Sequence, residues 1–237
     1  MENLITIVIP CKNESSNIGA LLYSLFQQKL IRNTKIIIAD AESTDDTISI
    51  IKKYSNLLNI EIINGGLPAV GRNNGAKIAS TKYLLFIDSD VYFKSNDVLE
   101  KAVNAAEKND YELVSSLILC EDNIRAKILY HICNILIGLS KYESPFCPGM
   151  FFLVNREKFN LLGGFNEDVK HCEDYLLSKK ISGKKFKQIF KFAYTGSRRI
   201  EKIGYLNFVL MIINNIKNRN NIDYYKKDIN YWTEYEK

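Results

Sequence analysis

Four short apolar runs, each closed by a polar residue and followed by a helical stretch, decide most of what this chain can become. Leu4–Ile9 (LITIVI) is continuous and β-branched and stops at Pro10. Lys35–Ala39 (KIIIA), Asn59–Ile63 and Tyr83–Ile87 (YLLFI) repeat the form. Uninterrupted apolar strands are the mark of a parallel sheet buried on both faces. Ser15 or Ser16 is placed to cap a helix with Ile18, Leu21, Leu22 and Leu25 on its apolar face. Ser43 and Asp46 read as a capping box before a helix through Ile48, Ile51 and Tyr54. Ala69–Ala79 reads as a third helix. The alternation predicts an α/β fold with a doubly wound, mostly parallel sheet and helices on both faces. In such sheets ligands bind at the carboxyl ends of the strands. The polar residues just past the first, second and fourth runs are therefore the place to look.

Beyond residue 95 the pattern loosens. Asn96–Lys108 reads as a helix, Glu112–Leu119 as a strand and Ile124–Tyr142 as a long helix. Gly149–Val154 reads as a strand, Cys172–Ile181 as a helix, and the tail from Ile200 as helical. A length of 237 residues suits one domain with an appendage. No apolar run reaches the roughly 20 residues of a spanning helix, and the start Met-Glu-Asn has no basic leader. Five cysteines form no C-x-x-C and there are two histidines, poor material for a zinc site or a disulfide framework. Reduced thiols in a cytoplasmic setting are the simplest expectation.

The chemistry-bearing residues gather at the strand ends. Asp88-Ser89-Asp90 closes the fourth run. Two carboxylates spaced this way offer hard oxygens to Mg²⁺ or Mn²⁺ and through it to a diphosphate. They equally suit a simple strand-to-turn junction. Pro10-Cys11-Lys12-Asn13-Glu14 follows the first run and Asp40 the second. Glu14 and Asp40 can accept from a base or a ribose, or face a helix N-terminus. Arg72, within Gly71-Arg72-Asn73-Asn74-Gly75, offers a fork of donors to phosphate oxygens, or is a surface arginine in a turn.

Taken together, these segments resemble a family 2 glycosyltransferase of the GT-A fold. Val8–Glu14, Ile38–Asp45, Gly71–Ala76 and Leu85–Asp90 carry the likeness, joined by Gly149–Arg156, Gly163–Glu167 and Cys172–Tyr175. They come in the family's order over roughly residues 4–200. The resemblance implies inverting transfer from a nucleotide-diphospho-sugar. It implies that Pro10, Asn13, Glu14 and Asp40 line the nucleotide, with Arg72, Asn73, Asp88 and Ser89 around the donor. It implies a divalent metal, Mn²⁺ or Mg²⁺, on Asp90 and Asp88. Asp174, helped by Glu173, is implied as the general base. Residues 1–95 then read as the donor-binding half, 96–199 as the acceptor-side half of the same domain, and 200–237 as a helical tail. Ala41-Glu42 follows Asp40 where many relatives have Asp-Gly, so the nucleotide stays open. The Gln-x-x-Arg-Trp motif of processive synthases is absent, and Ser197-Arg198-Arg199 stands in that region. Arg198 and Arg199 can clamp a diphosphate or face water.

Charge divides the chain. Residues 1–119 hold 12 Lys/Arg and 14 Asp/Glu, while residues 120–237 hold 20 and 13. A basic half can face phosphate or anionic lipid. Ile124–Tyr142 is apolar around most of its circumference, with Arg125, Lys127 and Lys141 near its ends. It reads as a core or homodimer helix, or as an interfacial helix on the cytosolic face of a membrane. Tyr205–Ile216 is a second apolar stretch, and together they raise a lipid-linked acceptor. Tyr224, Tyr225, Tyr231, Trp232 and Tyr235 can stack on sugars or dock on the body. Dispersed lysines and the lack of a recognised module argue against nucleic acid. Two other readings stay open: a sugar-phosphate nucleotidyltransferase, disfavoured because Pro10–Glu14 has no glycine, and a catalytically silent scaffold.

Overall fold

The computed structural model describes residues 4–228. Strands β1 (Ile5–Cys11), β2 (Lys35–Asp40), β3 (Asn59–Asn64) and β4 (Tyr83–Phe86) pair in parallel. Helices α1 (Ile18–Phe26), α2 (Thr47–Tyr54) and α3 (Pro68–Ile78) connect them. After α4 (Val98–Asn109), β5 (Leu113–Cys120) and α5 (Ile124–Ser140), strand β6 (Phe152–Asn155) inserts antiparallel between β4 and β5. Helices α6 (Arg156–Leu161) and α7 (Glu173–Ser178) precede β7 (Phe186–Thr195), which pairs parallel to β5. The chain ends in α8 (Arg198–Ile203), α9 (Tyr205–Lys217) and α10 (Ile222–Lys226). The result is one seven-stranded mixed sheet, ordered β3-β2-β1-β4-β6-β5-β7.

Both faces of the central strands β1, β2 and β4 are dry, as the uninterrupted runs require. Ile5, Ile7 and Ile9 of β1 join one core with Leu21, Leu22 and Leu25 of α1. Val8 points the other way, into a second core with Phe86 and Phe152. Helix α3 lies so close to β1 that a Cβ on Gly75 would sit 2.3 Å from Val8 Cγ1. Only glycine permits that approach, and it brings Arg72, one turn earlier, over the strand ends. Strand β3 is the exposed edge, with no buried residue.

Three local expectations fail for physical reasons. The helix after β1 starts at Asn17, not Ser15 or Ser16, and has no side-chain cap; Asn17 Nδ2 instead donates to Glu14 Oε2 at 2.6 Å. Helix α2 has no capping box: Asp46 makes no cap bond, and Asp45 accepts from Thr47 N at 3.0 Å and Ser15 N at 3.1 Å. Burial raises the Asp45 carboxyl, but the bonds from Thr47 and Ser15 outweigh it and leave it at about 2. Strand β7 is absent from the apolar pattern because Lys187, Gln188 and Lys191 interrupt it and its register to β5 shifts at Ser116/Leu117. A bulge of this kind breaks the period-two signal.

Helix α5 packs on β5 and β7 through Ala126, Tyr130, Asn134 and Ile137. Asn134 accepts from Ile118 N at 2.9 Å and donates to Ile118 O at 2.7 Å, which satisfies a buried amide. Among the described residues no helix is long and apolar enough to cross a membrane.

Candidate active site

The loops after β1 and β2 interlock. Asn13 and Glu42 both hold left-handed backbone, at φ 51° and 59°. Such conformations are uncommon outside glycine and persist where surrounding bonds hold them. Asn13 N donates to Ser43 Oγ at 2.9 Å, and Thr44 N donates to Asn13 Oδ1 at 2.8 Å. Asp40 accepts from Ser43 N at 3.0 Å and Ser43 Oγ at 2.6 Å. Pro10 packs against Gly71 of α3. Cys11 is buried below Asp40, Glu14 and Asp45; burial, then these carboxylates, push its thiol far up despite a bond to Ser89. It is an inert thiol.

Glu14 is buried, and its Oε1 accepts from Arg198 Nη2 at 2.9 Å. Burial pushes its carboxyl up, against the bonds from Asn17 and Arg198. The arginine pair reaches this place because α8 is tied to the end of β5. Ser197 N donates to Asp122 Oδ2 at 3.0 Å, and Asn123 Nδ2 donates to Glu201 Oε1 at 2.8 Å. Burial raises the Asp90 carboxyl, Arg199 and Arg198 pull it down, and Asp88 adds to the rise. The sequence-predicted residues of strands one and four and the distant Arg198-Arg199 pair thus meet. A cleft of about 180 Å³ opens beside Asp90, walled by Asn17, Tyr92, Glu121 and Asp122. Glu121 and Asp122 escaped the sequence reading, since nothing in their spacing ties them to β4.

Arg72 is the hub. Its side chain is fully buried, Nη2 donates to Asp88 Oδ1 at 2.6 Å, and Nη1 donates to Glu173 Oε1. The guanidinium lies 5.5 Å from the Phe165 ring centre. A Cβ on Gly149 would sit 2.4 Å from Nη2, so the Pro148-Gly149 turn closes directly on it. Asn73 faces the other way. Its amide donates to Phe165 O at 2.8 Å and Glu167 Oε1 at 2.7 Å, and accepts from Phe165 N at 3.0 Å. It latches the Gly163-Gly164 loop.

Asp174 opens α7 after Cys172, which is left-handed at φ 59°. Its Oδ2 accepts from Gly149 N at 2.9 Å and Oδ1 from Tyr175 N at 2.7 Å. Burial and then Glu173 push its carboxyl up to about 7, against Arg72 and the two backbone bonds. A carboxylate tuned near neutrality suits proton abstraction. Tyr225 is fully buried and Tyr224 half-buried, both against His171 at ring distances of 5.4 and 5.3 Å. Of the aromatic tail, these two dock on the body; Tyr231, Trp232 and Tyr235 lie outside the described residues.

The donor set also bears on a metal. Asp88 and Asp90 supply hard oxygens, and Asp90 is a half-buried carboxylate whose rise the arginines offset only in part. Among the described residues no cluster of three or more His, Cys, Asp or Glu forms a cage. Magnesium-type ions commonly take one or two carboxylates and complete their shell with substrate phosphate and water. The pair fits that mode.

A mixed sheet with acidic residues at the end of its fourth strand and a carboxylate facing them across an arginine defines a GT-A-type glycosyltransferase fold. Residues 6–163 match the glycosyl transferase family 2 profile, and the chain belongs to that family. A poly(ribitol-phosphate) beta-glucosyltransferase of Bacillus spizizenii is 37% identical over 194 residues, covering 75% of this chain and 30% of that protein. The beta-N-acetylglucosaminyltransferase TarS of Staphylococcus aureus is 32% identical over 102 residues, covering 41% of this chain and 18% of that protein. The chain thus spans less than a third of the length of these curated relatives. Among solved structures, S. aureus TarS 1-349 with UDP-GlcNAc has a TM-score of 0.64 at 20% identity, over 81% of this chain and 58% of that one. The mannosyltransferase PcManGT of Pyrobaculum calidifontis, with GDP-Man and Mn²⁺, has a TM-score of 0.67 at 22% identity, over 88% and 64%. These likenesses show the fold.

Proposed function

We propose that this chain moves a sugar from a nucleotide-diphospho-sugar to an acceptor hydroxyl, with inversion at the anomeric carbon. The observation that carries the reading is Asp174, positioned by Gly149 N–H across Arg72 from Asp88 and pushed up to about 7 by burial and Glu173. Asp174 takes the proton of the acceptor hydroxyl as its oxygen bonds to the anomeric carbon. The bond from that carbon to the diphosphate breaks in the same step, and the nucleoside diphosphate leaves. One in-line displacement inverts the centre. Glu173 aids by orienting Arg72. Glu14, Asp40, Asn13 and Pro10 border the nucleotide and Ser89 the donor, while Arg72 and Asn73, engaged by Asp88, Glu173 and Phe165, support that floor from behind. Arg198 and Arg199 meet the diphosphate as a pair of forks.

Asp90 and Asp88 would hold Mn²⁺ or Mg²⁺. Such an ion offsets charge growing on the leaving diphosphate, as a Lewis acid. The poly(ribitol-phosphate) acceptors of the relatives point to a polyol-phosphate acceptor, and a lipid-linked form of it fits a site on the cytosolic face of a membrane.

The test is a panel of UDP- and GDP-sugars, with and without Mn²⁺ and poly(ribitol phosphate), read as released nucleoside diphosphate and as melting temperature. A ligand that binds only the folded state raises the melting temperature. One donor should give a metal-dependent shift and turnover. Asp90→Asn should retain the fold and lose the metal dependence of the shift. No shift with any donor, with or without acceptor, overturns the reading in favour of a silent scaffold.

A further inference from the structure

Two helices remain that neither the core nor the site explains. In α5 the buried positions Ala126, Tyr130, Asn134 and Ile137 recur at helical spacing. A second stripe, Ile128, Ile132, Ile135 and Leu139, recurs on the opposite side and faces out; Ile135 is 62% exposed. At 3.6 residues per turn, this helix has one face too many for the core. In α9 no residue is buried, and Leu206, Leu210 and Ile213 lie on its outer stripe. The two helices are tied at both ends. Asn123, which caps α5, donates to Glu201 just before α9. Glu143, just past α5, pairs with Arg219, just past α9. They run in the same direction along one side of the molecule, each about 20–25 Å long at 1.5 Å per residue. Exposed aliphatic side chains are ordinary singly, but two such stripes on helices tied at both ends are not.

The charge around the stripes has one sign. Residues 124–141 carry Arg125, Lys127 and Lys141 and no acid; residues 202–219 carry Lys202, Lys217 and Arg219 and no acid. The acids nearby, Glu143 and Glu201, are outside these segments and are engaged by Arg219 and Asn123. Apart from Glu201 and the Glu143–Arg219 pair at their ends, the faces are flanked by cations such as Arg125, Lys127, Lys141 and Lys217, the complement of an anionic bilayer surface, where stems and aliphatics enter the acyl boundary and cations meet phosphates.

We propose that α5 and α9 form a peripheral docking face for an anionic membrane. The face is coupled to the catalytic pocket through covalent and hydrogen-bonded neighbours. Helix α8, which carries Arg198 and Arg199, leads directly into α9. Asn215 of α9 donates to Cys172 Sγ at 3.2 Å, two residues before Asp174. Docking therefore sets both arginines and the base beside the lipid surface, where an acceptor anchored in the bilayer would be presented.

The test is flotation of the full chain with vesicles of phosphatidylcholine alone and with added phosphatidylglycerol. The expected result is flotation with the anionic vesicles that weakens at high salt, and little with neutral ones. Ile132→Glu with Ile213→Glu, both at exposed positions, should lower partitioning by about tenfold or more, given the area each isoleucine buries. Those changes should leave the melting temperature and the hydrolysis of a soluble donor unchanged. A chain that stays at the bottom with anionic vesicles overturns the proposal, as does a double variant that floats like the parent. Light scattering after gel filtration separates the other occupant: a dimer that the same two changes dissolve assigns the face to a second copy and overturns the membrane. Loss of donor turnover in the parent would instead count against the transferase reading and leave flotation untouched.

Discussion

Two acidic pairs face each other in this molecule, and they are treated alike. Asp88-Ser89-Asp90 closes β4, and Glu173-Asp174 opens α7. In each pair one carboxylate is neutralised by Arg72: Asp88 on one side, Glu173 on the other. In each pair the second carboxylate is left out, and burial raises it: Asp90 at β4, Asp174 at α7. A guanidinium has two terminal nitrogens and spends one on each pair. What remains is one carboxylate short of a cation and another short of a proton. The difference lies in their neighbours. Asp90 faces Arg198 and Arg199, a place suited to phosphate and metal. Asp174 accepts from backbone N–H groups and lies beside Glu173, with Arg72 acting on it only through its field, a place suited to taking a proton. One arginine thus divides four carboxylates into two that it pairs with directly and two that it leaves to other partners.

The largest effect that can break this comparison is at Asp174. Asp174→Asn should lower sugar transfer by about 10²–10⁴-fold while donor binding persists, the range of a lost general base. In the wild type, transfer should rise with pH through about 7, because only the deprotonated form accepts a proton. The same shift has a stability sign. A carboxyl raised to about 7 in the folded state binds its proton more tightly there than in the unfolded chain. Its stabilisation is complete below the unfolded value and is lost as pH rises through about 7. Asp174→Asn should therefore melt higher than wild type at pH 8, and the gap should close toward pH 4. Melting curves at both pH values check this. An equal gap at both would mean that Asp174 is an ordinary surface acid.

The next effect is at the hub. Arg72→Leu leaves Asp88 and Glu173 buried without their cation. Breaking a buried pair in this way costs about 3–5 kcal/mol. For a domain of this size that is roughly a 10 °C fall in melting temperature. Adding Glu173→Gln and Asp88→Asn should recover part of it, since the uncompensated charges are then gone. A single variant that melts like wild type would dissolve the comparison, because the two pairs would no longer share a counter-ion.

How much of this was readable in the chain follows from the range of each interaction. Strands β1, β2 and β4 were legible because a buried parallel strand writes itself as an unbroken apolar run, and β3, an exposed edge broken by Glu61, by its place in the alternation of strands and helices. Asp88, Asp90, Glu173 and Asp174 were legible as residues at the ends of such elements. The division of labour among them was not. It rests on one arginine bridging residues 16 and 101 positions away. A reading by segments assigns Arg72 to a phosphate, and no local pattern reveals that two carboxylates already hold it. Asn73 is the same case: its amide is spent on Phe165, whose place beside α3 only the fold supplies. The capping readings at Ser15 and Ser43 failed for a related reason, since loops from two strands share their polar groups instead of capping their own helices. Helix α5 showed its apolar surplus in the sequence but not which face was spare.

The smallest effect concerns a residue with no side chain. Gly149 donates its N–H to Asp174, and the space where its Cβ would stand is filled by Arg72 Nη2 at 2.4 Å and Cζ at 3.0 Å. A long arginine commonly yields to such a clash by moving its end. Here the end is held by Asp88 on one nitrogen and Glu173 on the other, with Phe165 beneath. The backbone of Gly149 must move instead, and with it the N–H on which Asp174 rests. Gly149→Ala should cost about 1–3 kcal/mol, the usual range for an overpacked site. It should also lower transfer more than donor binding, because the base shifts while Asp90 does not. Urea melts and donor thermal shifts on the one variant measure both. A neutral Gly149→Ala would show that the arginine end is free to swing, and the equal treatment of the two acidic pairs would then be a feature of one conformation alone.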